Sequence, residues 1–297
     1  MLLLTRGSDI KGKSRKESEW RRAFRGICKS RLALFGLLIT GLLIFVAILA
    51  PLIAPYSPTK MSLRERLSPP SASHLFGTDD AGRDILSRVI YGSRITLRIC
   101  IIVVGLTLGI GTLLGILSGY IGGLVDELIM RLNDVFLAFP ALILAMAIAA
   151  ALGPSLENAI IAMVVIWWPR YARVSRGQVL AIREIDYVTA ARALGASSSR
   201  IMIRHILPNC ISPIVVQATL DLGEVVLTAA TLSFIGFGAQ PPVPEWGAMI
   251  SVGRNFIRDY WWYPTFPGLA ILVTVMGFNL LGDAVRDILD PRLRRGP

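Results

Sequence analysis

The stretch ICIIVVGLTLGIGTLLGILSGY, residues 99–120, decides the fold. Its 22 residues carry no charge, and at a rise of ~1.5 Å each a helix of this length reaches ~33 Å, enough to cross the ~30 Å hydrocarbon core of a bilayer. Gly111, Gly115, Gly119 and Gly123 recur every four residues after Gly105 and Gly109, making a face without side chains where another helix can approach closely. We read that face as packing within the chain's own bundle, with a seam to a second chain as the alternative. Working outward, residues 32–54, 135–152 and 261–282 are further uncharged runs of 23, 18 and 22 residues. Two weaker runs complete a set of six: 159–169, followed at once by Arg170, Arg173 and Arg176, and 211–236, interrupted by Asp221 and Glu224. The 11 residues of 159–169 cover only ~16 Å, so that helix must continue past Pro169 with its arginines snorkelling or facing a polar interior. Trp167 and Trp168 stand where an interfacial aromatic belt is expected. The fold class is therefore all-α and integral to a membrane, with about six transmembrane helices.

Composition agrees. Of 297 residues 54% are apolar and only 17% charged, against roughly 25% charged in an average soluble domain, which excludes an ordinary water-soluble enzyme. A net charge of +11 would suit nucleic acid, but the charges do not share one surface. Ten of the 31 Lys/Arg precede residue 32 and the rest cluster between the apolar runs. With the N-terminus inside, the inner segments hold 22 of them and the outer segments 9, the bias expected of cytoplasmic loops. Both termini are thus expected in the cytoplasm, with membrane lipid rather than nucleic acid as the surrounding partner. The chain divides into a basic cytoplasmic tail (1–31), a first transmembrane helix with an extracytoplasmic loop (32–98), a core of spans (99–290) and a short tail (291–297). An uncleaved first span fits better than a signal peptide, since about thirty polar residues precede it and no small-residue cleavage site follows.

Several chemistries can be set aside. Gly7, Gly12, Lys13 and Ser14 satisfy the phosphate-loop spacing GxxxxGK[ST], yet they lie in a basic tail with no strand before them and no α/β domain around them. The neighbouring residues 20–31 alternate arginines with Trp20, Phe24 and Ile27 and read as an interfacial helix on the inner leaflet. Cys28, Cys100 and Cys210 are far apart and His74 and His205 lie outside the apolar runs, so neither a disulfide framework, a metal site nor a Ser/His pair is indicated. No catalytic residue is expected.

The informative polar segment is REIDYVTAARALGASSSRIMIRHILPN, residues 183–209. It reads as helix, break, helix: Asp186 caps a first short helix, Gly195 supplies the left-handed residue that ends it, the serines at 197–199 cap a second, and Pro208 limits that one. Ala190, Ala191, Ala193 and Leu194 gather around the glycine, too little apolar area to fold alone and too small-sided for an ordinary solvated face. That leaves two readings, a knob that docks into a partner's groove or a plain connecting loop.

Ala190-Ala191, three residues, Gly195, then Leu207-Pro208 resembles the EAA loop of membrane subunits of ATP-binding-cassette importers. Thr189 and His205 stand where the general pattern has Glu and Ile, substitutions common in the family's peptide-permease branch. HLFGTDDAGRDILSRVIYGSRITL (74–97), GYIGGLVDELIMRLNDVFLAFPAL (119–142) and LSFIGFGAQPPVPEWGAMI (232–250) resemble the C-type permease of dipeptide, oligopeptide and nickel importers. Ala229 departs where an acidic residue is expected. The resemblance implies a type I importer permease fold in a bacterial-type inner membrane. It also implies a paired second permease subunit, two ATPase subunits that hold ATP and Mg²⁺ where this chain binds no cofactor, and an extracytoplasmic solute-binding protein. It favours docking for the loop, with Ala190, Ala191, Arg192, Leu194, Gly195, Arg200 and Pro208 seated on the ATPase. Asp221 and Glu224, three apart on one helical face, either line a pathway that passes a peptide's amino group or pair with Arg170 or Arg173. Pro242, Trp246 and Arg254, before the interfacial Trp261 and Trp262, are candidates to meet the binding protein. A nickel importer permease is the alternative reading, and a secondary transporter, lacking an evident internal repeat, a weaker one.

Overall fold

A computed structural model describes residues 31–289, so the phosphate-loop look-alike, the interfacial helix expected over 20–31 save its last residue, and the tail 291–297 lie outside it. In chain order its main helices are α1 (Arg31–Ile53), α2 (Ile85–Ile121), α3 (Gly123–Leu137), α4 (Ala141–Leu152), α5 (Leu156–Ile182), α6 (Asp186–Ala193), α7 (Ser198–Ile201), α8 (Leu207–Ile235), α9 (Trp246–Gly253) and α10 (Trp262–Leu289). Among the described residues four helical stretches are long and apolar enough to cross a membrane: α1, α2, Ser198–Ile235 and α10. The expected run 135–152 is not one straight helix, because Pro140 begins a new one and α3 and α4 meet at 91°. α5, whose 27 residues reach ~40 Å, is long enough to make a sixth crossing and continues unbroken through Pro169 and past all three arginines.

Glycine decides the central contact. A side chain at Gly111 would strike the Trp168 carbonyl, one at Gly115 the Ala172 carbonyl, and one at Gly119 the Val179 side chain, so α2 and α5 lie nearly backbone to backbone and run in the same direction. Apolar side chains gain little by leaving lipid for each other, and close approach of this kind supplies van der Waals contact instead. The glycine stripe therefore packs inside the bundle, while Gly105 and Gly109 face open space. Trp167 and Trp168 belong to the same packing: they are 1% and 7% exposed, not members of an interfacial belt, because α5 carries on for 14 residues beyond them. On the other side Gly223 of α8 lies against Asn279 of α10, and Gly36 of α1 against Leu280 and Leu281, so α10 runs antiparallel between the two.

The bundle has two unlike ends. At one, residues 54–84, the segment 236–245 and α9 fold into a cap over the helices. At the other, the chain leaves α5, makes a short helical elbow through α6 and α7, and re-enters as α8.

Candidate functional site: an exposed elbow, mid-span ion pairs and the cap

The elbow has the predicted order with two corrections. Ile185, not Asp186, holds the cap position of α6, and Asp186 stands in its first turn, where the helix dipole favours a carboxylate. Gly195 has φ +81° and closes α6 through two backbone bonds, Gly195 N–H to the Arg192 carbonyl (3.0 Å) and Ala196 N–H to the Ala191 carbonyl (3.1 Å). Ser197 then caps α7, its Oγ accepting from Arg200 N–H at 3.4 Å. Pro208 does not end that helix. Met202–Ile206 is π-helical, and this widened turn carries α7 into α8 although Pro208 has no N–H to donate. Val188 faces inward, fully buried, and Asn209 Nδ2 of α8 donates to the Tyr187 hydroxyl at 3.2 Å, so α6 is pinned against the root of α8. The opposite face is bare: Ala190, Arg192, Ala193 and Arg200 are exposed, Ala191 is half-buried, and Leu194 is 88% exposed. The Arg192 guanidinium lies 5.8 Å over the Tyr120 ring, tying the elbow to the end of α2.

In mid-span, α5 presents a series of arginines to acids on two different helices. Arg170 grips Glu224 of α8 with both guanidinium nitrogens, at 2.6 and 2.9 Å, and lies 3.8 Å from Asp221. Asp221 is 2% exposed, accepts from Gln217 Nε2 at 2.8 Å and has the buried Tyr171 hydroxyl as a further neighbour. Arg173 turns to Asp134 of α3 at 2.6 Å, and Arg176 meets Asp126, also of α3, at 2.6 and 2.7 Å, with Ser118 donating to the same carboxylate. An unpaired charge at the middle of a span costs roughly 2.5–3.5 kcal/mol on insertion scales, so pairing explains how α5 tolerates Arg170 at its centre, while Arg173 and Arg176 follow toward its end. Of the two readings left open for Asp221 and Glu224, the contact with Arg170 is present. Arg173 has a different partner, and Asp126 and Asp134 were not among the candidates. The signal for them was available: acids in 119–142 and arginines in 170–176, both beside apolar runs.

The cap is a web of buried polar groups. Asp79 is fully buried and accepts from Arg83 Nε at 2.6 Å and from the Arg83 and Ala81 backbone N–H groups at 2.9 Å each, with Arg88 Nε at 3.5 Å. Arg88, in the second turn of α2, also donates to the carbonyls of Pro58 and Pro242, stitching both loops to the bundle. Asp84 caps α2 through Ser87 and accepts or shares a proton with His74 Nδ1 at 2.9 Å. Glu245 caps α9, accepting from the N–H groups of Gly247 and Ala248 at 3.0 and 2.8 Å; burial pushes its carboxyl above the usual range, and those two bonds pull it back. Trp246 corrects an expectation. It is 2% exposed, its indole donates to the Val89 carbonyl at 3.0 Å, and Gly92 is the hole it fills, so this side chain cannot present an outer docking face. Trp262 is likewise inside, its indole 3.4 Å from the Thr78 carbonyl, and only Trp261 is exposed. Pro242 and Arg254 do face outward, the latter 4.8 Å over the Phe234 ring. Among the described residues no group of three metal-ligating side chains comes together.

An all-helical bundle whose crossing helices pair charges in mid-span, and whose loops form a bare elbow at one end and a cap at the other, is the architecture of a membrane-embedded permease. The chain belongs to the family of binding-protein-dependent transport system inner membrane components, which matches residues 111–295; residues 18–70 match the N-terminal transmembrane domain of oligopeptide transport permease C. It is 47% identical over 277 residues, 93% of this chain and 91% of the relative, to the dipeptide transport system permease protein DppC of Alkalihalophilus pseudofirmus. It is 49% identical over 263 residues, 89% of this chain and 88% of the relative, to the probable D,D-dipeptide transport system permease protein DdpC of Escherichia coli. In fold it resembles a chain of the MetNI methionine ABC transporter in inward-facing conformations, with a TM-score of 0.54 at 21% identity, covering 69% of this chain and 97% of the other. The all-α, roughly six-span fold read from the sequence is the fold observed.

Proposed function

We propose that this chain is the transmembrane permease subunit of an ATP-driven importer of peptides of dipeptide or oligopeptide size, forming half of the pathway across the inner membrane. The printed functions of its relatives support the substrate class, and the excess of Lys/Arg in alternate loops supports a cytoplasmic elbow and cytoplasmic termini. One observation carries the coupling role: Leu194, 88% exposed, and the small side chains beside it project from a turn that Gly195 holds at φ +81°. Bare apolar groups on a pinned scaffold are a docking surface.

The mechanism follows from how the elements are joined. Two ATPase subunits, which hold ATP and Mg²⁺, each receive such an elbow from the permease pair. When they close, Ala190, Ala191, Leu194 and Gly195 seat in a groove and Arg192 and Arg200 meet acids on its rim. Because α6 is pinned to α8, and α2 to α5 by glycine packing, the push moves packed helices as bodies and opens the pathway alternately to either side. Glu224 lines that pathway with Asp221 buried behind it, and outside, Pro242 and Arg254 flank the face where a solute-binding protein delivers its load. A second permease subunit completes the conduit.

Gly195→Leu tests the docking. A Cβ there meets nothing among the described residues, so the cost to the free subunit is that of the left-handed backbone, about 1–2 kcal/mol. The complex is expected to assemble in reduced amount and to hydrolyse ATP without moving peptide. Full coupled uptake by Gly195→Leu would remove the elbow from the mechanism.

A further inference from the structure

Arg170 stands 14 residues, ~21 Å, from the start of α5 and 12 residues, ~18 Å, from its end; Glu224 stands 11 residues, ~17 Å, from the end of α8. This ion pair is therefore near the middle of both crossing helices. It is also accessible. The Arg170 and Glu224 side chains keep 33% and 46% of their surface, whereas Asp221 beside them is buried. Charged groups half-open at that depth cannot face lipid, so they face the polar interior the two permease subunits share.

Three details separate this pair from a simple strut. Its guanidinium and carboxylate hold each other through two parallel hydrogen bonds, which an incoming carboxylate and ammonium could replace one for one. The guanidinium is stacked 5.4 Å from the Trp167 ring centre, on a side chain locked in the core, so it stays placed if Glu224 lets go. Behind it the buried carboxylate of Asp221 lies 3.8 Å from Arg170, a second acid beside the same guanidinium.

We infer that Arg170 and Glu224 form an exchangeable clamp for a zwitterion, resting on the reading of this chain as a peptide permease. A passing peptide offers an ammonium at one end and a carboxylate at the other. Glu224 takes the ammonium, Arg170 takes the carboxylate while Asp221 keeps it neutralised, and the pair re-forms when the peptide leaves. No net charge enters the membrane at any stage, and the site asks only for the two termini, which suits a conduit indifferent to side chains.

The test uses the full transporter, with both permease subunits, both ATPase subunits and the binding protein, in vesicles. ATP hydrolysis stimulated by peptide-loaded binding protein and uptake of a labelled dipeptide are measured together. The double variant Arg170→Gln, Glu224→Gln, carried in an Asp221→Asn background so that no buried carboxylate loses its counter-ion, keeps a hydrogen-bonded tie between α5 and α8 and avoids the folding defect either single change invites. Stimulated hydrolysis is expected to stay within about two-fold of wild type while dipeptide uptake falls at least ten-fold. Wild-type uptake by the double variant, or a parallel fall of hydrolysis and uptake in an intact complex, makes the pair a structural tie and overturns the clamp. If the wild-type complex itself moves no peptide, the peptide reading fails and the clamp with it, a result told apart by the wild-type control.

Discussion

The cap and the elbow use the same raw material in opposite ways. Both are short polar connections between crossing helices, rich in Gly, Ala, Arg and Asp. In the cap a core of charged groups is turned inward: Asp79, Arg83, Asp84, Arg88, His74 and Glu245 are all buried and held by one another or by backbone, while Lys60, Arg64, Glu65 and Arg66 stay on its surface. In the elbow the arginines are exposed, Leu194 and the small apolar groups beside it are exposed, and a few contacts, among them buried Val188, Tyr187–Asn209 and Arg192 over Tyr120, hold α6 to the bundle. The difference teaches where each end's energy is satisfied. The cap's polar groups find their partners within the chain, so it is a finished structure. The elbow leaves its contacts to be completed by another molecule.

The sharpest way to break that contrast is Asp79→Ala. It leaves the buried guanidinium groups of Arg83 and Arg88 without their shared carboxylate, and removing one partner of a buried pair costs about 3–5 kcal/mol. Loss of Arg88's alignment also frees the Pro58 and Pro242 carbonyls. We expect a large fall in the melting temperature of the purified subunit complex, with protease access to residues 54–84. An unchanged melting curve would show that the cap is no more self-contained than the elbow.

Glu245→Ala sharpens the comparison at intermediate size. It removes the cap of α9, leaving the Gly247 and Ala248 N–H groups buried and unpaired, for about 1–2 kcal/mol. Glu245→Gln keeps an acceptor without the buried charge, so thermal melting should place it between wild type and the alanine variant. Alanine and glutamine behaving alike would mean that the carboxylate does not hold α9 in place.

How much of this was legible depended on whether a residue's partner lay nearby in the chain. The elbow was readable because its determinants are local: a left-handed turn wants glycine at 195, and a helix start wants a short side-chain acceptor at 197. The glycine stripe was readable because a period of four residues is a face in any helix. Trp246 and Trp168 were misjudged because an aromatic beside a charged or proline-rich segment looks interfacial, and what buries them, Gly92 and Gly111, lies 154 and 57 residues away. The arginines past Pro169 read as snorkelling or facing a polar interior, and the partners of Arg173 and Arg176 stayed out of sight for the same reason. Their acids sit on α3 and α8, and hydropathy summed along α5 contains no trace of them. Pro140 divides what reads as a single apolar run, because an uncharged stretch says nothing about direction.

The smallest effect on the fold is expected at the elbow, from Leu194→Ala. At 88% exposure the leucine touches little of its own chain, and surface truncations of this kind change stability by no more than about 0.5 kcal/mol. If the elbow is an unfinished surface, the loss appears only when the ATPase subunit is present. An apolar anchor that fills a pocket contributes more than 1 kcal/mol to an interface, so at least about a five-fold faster release of the ATPase subunit from the detergent-solubilised complex is expected, with the melting curve of the membrane part unmoved. The two readouts are independent, and their separation is what distinguishes the two ends of the bundle. A Leu194→Ala variant that melts early but keeps its ATPase would show that the leucine's contacts lie inside this chain, and the elbow would then be a smaller version of the cap.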